Sequence, residues 1–180
     1  MRKSRPSGRL FLLCPNVTSH RRRADGELVE SPSPKVRHQQ LVGRLFIAFA
    51  DHVNTFGSGT VLMAPMDTVF SPMNVTQPDL LFIADDRSDV LTEANVQGAP
   101  SLCIEVISDS RRDRVRKKAI YERFGVEEYW IVDPEIDRVE IYRLAGDSYD
   151  KPGILDGDDV LTYSRLPGLE IPLRELFARG

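Results

Sequence analysis

Two apolar strands that each carry one carboxylate constrain this chain more than any other feature. The segments Gln77-Pro78-Asp79-Leu80-Leu81-Phe82-Ile83 and Leu102-Cys103-Ile104-Glu105-Val106-Ile107 are runs of large or branched apolar residues bounded by Pro, Gly or Ser, the pattern of core strands. An ionised carboxylate inside such a strand is costly unless a cation or hydrogen-bond donors satisfy it. Asp79 and Glu105 together therefore invite a shared partner, and a divalent metal is the obvious one. Hard ions such as Mg2+ take one or two protein carboxylates and complete their shell with water and substrate phosphate. Taken singly, either acid has a plainer explanation, a strand-end carboxylate bonded to a helix N-terminus or an arginine. The segment after Glu105 shifts the balance.

Ser108-Asp109-Ser110 supplies N-cap residues and Gly125 a stop, which predicts a helix between them. Asp113, Lys117 and Tyr121 fall on one stripe of that helix, with Ile120 and Phe124 beside them, so Lys117 lies in the middle of a partly apolar face. A lysine held near a metal and a scissile phosphate can orient an attacking water or stabilise charge developing in the transition state. Tyr121 is expected to pack beside the site or to contact substrate, with core packing as its simpler role. Arg112, Arg114, Arg116 and Lys118 spread around the rest of the helix. They form a candidate phosphate-binding patch, although a solvated charged surface accounts for them without any ligand. On the Glu105 strand, alternation places Cys103, Glu105 and Ile107 on one face and Leu102, Ile104 and Val106 on the other. A nuclease of the acid-x-lysine pattern would carry its lysine where this chain has Ile107, so Lys117 would have to replace it from the helix.

Around these elements the chain reads as one mixed α/β unit. A helix is expected over residues 34–53, where Val42, Leu45, Phe46, Phe49 and Val53 mark a buried stripe. His38 lies one turn before Val42 on that stripe, where it can hydrogen-bond near the site or serve as a structural or capping residue. Gly57-Ser58-Gly59 breaks the pattern and leads to strands near 60–64 and 67–70, and the polar stretch 85–98 reads as a loop or short helix. Strands over 128–132 and 139–144, separated by Asp133-Pro134, resemble a hairpin in which Trp130 is core. Pro167-Gly168 predicts a turn, followed by a short helix near 173–177. Residues 1–20 fit no element, and residues 21–180 form the expected single domain.

The length of 180 residues is that of one domain, and the net charge of −3 gives no global attraction to nucleic acid. Binding would depend on a local patch such as Arg111 to Lys118. Cys14 and Cys103 match no zinc spacing and no disulfide framework, which points to a reducing cytoplasm. The apolar run Leu10 to Cys14 is too short for a signal-peptide core, and no segment approaches membrane-spanning length.

The ordered series from Thr76 to Leu144, namely TQPDLLFIAD, GAPSLCIEVISDSRRDRVRKKAIYERFGVEEYWIVDP and RVEIYRL, resembles the Uma-two family of the PD-(D/E)XK, restriction endonuclease-like superfamily. The turn and strand ADGELVESPSP, His38 at the start of the first long helix and the terminal LPGLEIPLRELF extend the likeness over about Ala24 to Phe177. The resemblance implies a mixed central sheet flanked by helices and a Mg2+-dependent (or Mn2+-dependent) phosphodiesterase site at one edge. It makes Asp79 and Glu105 the metal-binding acids and Lys117 the lysine displaced from strand to helix. Glu27 matches an acid after the family's Asp-Gly turn and is an accessory candidate beside His38 and Tyr121. Upstream of that turn Arg21-Arg22-Arg23-Ala24 replaces an aromatic-Glu-apolar strand, leaving arginine at an acidic position. The expected function is a metal-dependent endonuclease acting on nucleic acid, DNA before RNA, as a homodimer. Two other readings remain: a catalytically inactive relative that binds nucleic acid or a protein, and a dimeric scaffold built on the terminal hairpin.

Overall fold

The structure is a computed structural model that describes residues 20–24, 27–31, 35–107 and 111–179, with residues 20–31 and 111–112 described by their backbone alone. The first elements are β1 (His20–Ala24) and β2 (Glu27–Ser31), an antiparallel pair in which Arg22 lies opposite Val29. The arginine run thus still forms a strand.

Helix α1 (Val36–Phe56) runs a turn beyond its expected end. Leu41, Val42, Leu45 and Phe49 recur on one face and are buried, as the 3.6-residue period requires. Gly57 ends the helix with φ +65, returning its N–H to Val53 O at 2.7 Å. A left-handed glycine in this position satisfies an otherwise orphaned helix carbonyl.

The middle of the chain forms β3 (Thr60–Met63), β4 (Thr68–Ser71), β5 (Asn74–Thr76), β6 (Leu80–Ile83), a 3-10 turn over Asp85–Val90, β7 (Val96–Gln97) and β8 (Leu102–Val106). Then come α2 (Arg111–Arg123), β9 (Glu128–Asp133), β10 (Arg138–Ala145), β11 (Ser148–Tyr149), β12 (Gly153–Asp156), β13 (Val160–Tyr163), β14 (Leu166–Pro172) and α3 (Leu173–Leu176). The main sheet has the order β11-β10-β9-β8-β6-β3, with β12 also paired to β10. Only β8 and β9 run parallel within it, joined by the crossover helix α2, so the sheet is mixed.

The alternation expected for β8 holds. Leu102, Ile104 and Val106 enter the large core with α1, β14 and α3, while Cys103 enters a second core with Ile120, Tyr121, Val126, Tyr129 and Ile131 under α2. Trp130 is fully buried in the first core, edge-on to Phe49. Arg37 and Arg44, one heptad apart on α1, hold the end of α3. Arg44 donates to Leu176 O at 2.7 Å and Ala178 O at 2.6 Å, and Arg37 to Phe177 O at 2.5 Å and Ala178 O at 3.0 Å.

Two expectations need correction. The Asp79 strand begins at Leu80, leaving Asp79 just outside it. Pro167 and Gly168 do not turn the chain but lie inside β14, where Tyr163 faces Leu166 and Thr162 faces Glu170. A missing N–H and a glycine at φ +87 suit a bulge as well as they suit a turn. The short strands β5, β7, β11, β12 and β13 were not foreseen. Each has at most four residues, too few for alternation to register.

Candidate active site

The register of β6 and β8 builds the site. Leu80 lies opposite Ile104 and Phe82 opposite Leu102, so the start of β6 stands beside the end of β8. Asp79 precedes the first of these pairs. Its carbonyl accepts from Ala64 N at 3.0 Å, tying it to the end of β3. Its Oδ2 accepts from Val106 N at 2.9 Å, doing for the end of β8 what a paired strand would do. The same Oδ2 lies 3.0 Å from His38 Nε2, which reaches it from the first turn of α1. Burial pushes the Asp79 carboxyl up, but the His38 hydrogen bond and charge, Lys117 and the Val106 amide outweigh it, and the net direction is below the ordinary 3.8.

Glu105 is held from α2. Its Oε2 accepts from Lys117 Nζ at 2.7 Å and its Oε1 from Tyr121 Oη at 2.7 Å. Lys117 Nζ also stands 3.4 Å from Asp113 Oδ2, so the 113/117/121 stripe converges on one buried acid. Burial raises the Glu105 carboxyl, Lys117 opposes that, Asp79 adds to it, and the balance stays above the ordinary 4.5. The two acids therefore sense each other, and their environments drive their pKa values apart, as at acid–base sites.

These shifts make a measurable prediction. A carboxyl whose folded pKa is depressed contributes stability above its unfolded pKa and loses it as pH falls through the folded value. Asp79→Asn is expected to lower the melting temperature at pH 7 and to approach the parent as pH falls below 3.8. Circular dichroism melts in chelator check this, and an equal deficit at both ends would contradict it.

The structure brings together Asp79, Glu105, Lys117, His38 and Tyr121. The strand residue Glu27 is placed opposite Ala24, but its side chain lies outside the described residues, as do that of Arg112 and the cap segment 108–110. Arg114 lies 3.8 Å from Glu140, and Lys118 stands 4.7 Å from the centre of the Tyr142 ring. Arg116 is half-buried. Sequence reasoning missed Asp113 as a partner of Lys117, although the i, i+4 spacing signalled it. It also missed Thr76 Oγ1, 3.4 Å from Tyr121 Oη, and the Val106 amide.

As oxygen donors, Asp79 and Glu105 fit a hard divalent ion in kind, with most of its shell left to water and phosphate. Among the described residues no three His, Cys, Asp or Glu side chains are grouped to hold an ion by themselves.

A family model described as "Putative restriction endonuclease", Uma2, matches residues 10–174. The chain belongs to the Uma2 family. The Uma2 match starts upstream of Ala24, where the likeness quoted above begins. A solved structure described as a "putative nuclease belonging to DUF820" from Anabaena variabilis ATCC 29413 is similar to it, with 18% identity, a TM-score of 0.76, and coverage of 93% of this chain and 94% of that one. At that identity the likeness establishes the shared fold. No curated protein matches this Uma2 chain. Among its described residues no helix is long and apolar enough to cross a membrane.

Proposed function

We propose that this chain is a Mg2+-dependent endonuclease that hydrolyses phosphodiester bonds in DNA. The observation that carries the reading is the convergence, where β6 and β8 meet, of two carboxylates and a buried lysine that lies 2.7 Å from one of them. Asp79 and Glu105 would hold the ion. A bound Mg2+ would polarise the scissile phosphate and make water more acidic. Lys117 brings a positive charge, held by Glu105 and Asp113, to where negative charge develops on the phosphate, and its N–H groups can orient the attacking water. Tyr121 fixes the second oxygen of Glu105, limiting the rotations of that carboxylate. Arg112, Arg114, Arg116 and Lys118 on α2 are the candidate contacts to the nucleic-acid backbone. Action as a homodimer suits cleavage of both strands of a duplex. The free thiol of Cys103, buried and with its pKa pushed up, is consistent with a reducing cytoplasm.

The purified chain, incubated with supercoiled plasmid, single-stranded DNA or RNA in Mg2+, Mn2+ or chelator, is expected to cut DNA only with metal. Asp79→Ala and Lys117→Ala are expected to reduce cutting by on the order of 10²-fold or more. Cleavage that persists in chelator, or equally in both variants, would overturn the reading. Binding without cleavage would favour the inactive, nucleic-acid-binding relative.

A further inference from the structure

The polar capacity of His38 is spent on one atom. The residue is 7% exposed, on the inward stripe of α1 with Leu41, Val42 and Leu45. Its Nε2 lies 3.0 Å from Asp79 Oδ2, while its Nδ1 is buried with no hydrogen-bond partner among the described residues. An ionised carboxylate can only accept, so Nε2 carries the proton in this pair. A buried ring nitrogen without a partner carries a desolvation cost that an apolar side chain of similar size would avoid. Filling space at the head of α1 therefore does not account for a histidine. The hydrogen bond to Asp79 does.

The geometry of that bond is selective. Two donors from two regular elements, His38 Nε2 on α1 and the Val106 N–H on β8, converge on the same oxygen, Oδ2. The other oxygen, Oδ1, makes no hydrogen bond among the described residues, and the Asp79 side chain is 15% exposed. One carboxylate oxygen is thus clamped and its twin is left available to another partner. We propose that His38 is a positioning residue that fixes the Asp79 rotamer and presents Oδ1 to a divalent cation. The inference deepens the proposed function and rests on that reading for the identity of the ligand. The clamp itself exists in the metal-free chain.

Two variants of the full chain test it. His38→Gln keeps an N–H donor at about the same reach, and His38→Leu keeps the volume without the donor, with His38→Met taking its place if the leucine variant fails to melt cooperatively in chelator. The readouts are Mn2+ affinity by calorimetry and amide hydrogen exchange at Val106 in chelator. His38→Leu is expected to weaken Mn2+ binding on the order of tenfold or more, as loss of a residue that orients a metal ligand does. It is also expected to speed exchange at Val106, while His38→Gln stays close to the parent in both. Parent-like affinity and exchange in the leucine variant would overturn the proposal, as would a glutamine variant that behaves like leucine. If the parent shows no saturable Mn2+ binding, the metal reading fails, and Val106 exchange alone decides whether His38 holds Asp79.

Discussion

Lys117→Met is expected to reduce DNA cleavage by on the order of 10²–10³-fold while Mn2+ binds the variant more tightly than it binds the parent. The opposite signs follow from where the ammonium sits. Nζ is 2.7 Å from Glu105 Oε2 and 3.4 Å from Asp113 Oδ2, so in the metal-free chain the lysine is a positive charge that both acids share. A divalent ion approaching Glu105 meets that positive charge. At the effective dielectric of a protein site, unit charges about 4 Å apart interact by about 4 kcal/mol. Even with most of this screened, about a tenfold gain in affinity is expected. Methionine preserves the apolar stem that packs under α2, which keeps the comparison one of charge. Calorimetric titration with Mn2+ beside a plasmid assay reads both effects. A parallel loss of affinity and cleavage would instead make Lys117 a scaffold for Glu105.

The second large effect is on stability. Gly59→Ala is expected to destabilise the fold by about 3–4 kcal/mol, lowering the melting temperature by roughly 10 °C. Gly59 has φ +97, a conformation that L side chains avoid. An added Cβ there would lie 2.5 Å from Ile83 O and 2.7 Å from the Phe82 ring, and neither can retreat because both belong to the buried strand β6. The collision falls where β3 begins to pair with β6, Thr60 opposite Ile83. Differential scanning calorimetry tests it, and a loss under about 1 kcal/mol would mean that β3 shifts freely against β6. Since Ala64, at the far end of β3, donates to the Asp79 carbonyl, such a shift would also disturb the site.

Much of this was legible in the sequence because it depends on periodicity. The 113/117/121 stripe, the opposite faces of Cys103 and Ile104 and most of the buried ridge of α1 follow from side-chain repeats of 3.6 or 2.0 residues and were found, although Phe46 and Val53 prove only partly buried and Leu41, fully buried, was not expected. The break in the pattern at Gly57 and the strand β9 with Trp130 at its centre were equally plain, although α1 runs on past its expected end at residue 53. What escaped depends on pairing partners distant in the chain. That Asp79 stands outside its strand, where its side chain takes over a backbone bond to Val106, cannot be read without the register of β6 against β8. The bulge at Pro167-Gly168 is similar, because the residues that permit a bulge also permit a turn and the partner strand decides between them. His38 was visible as an inward histidine. Its partner, 41 positions away, was not.

The clasp of Arg37 and Arg44 on the carbonyls of residues 176–178 also bears on how the protein responds to salt. Those guanidinium groups are engaged in closing the fold, and Arg87 and Arg165 are likewise bound to Glu127. A cation held by its own chain is poorly placed to displace counterions from a polyanion. The ionic-strength dependence of nucleic-acid binding would therefore be shallower than the 24 Lys and Arg residues suggest.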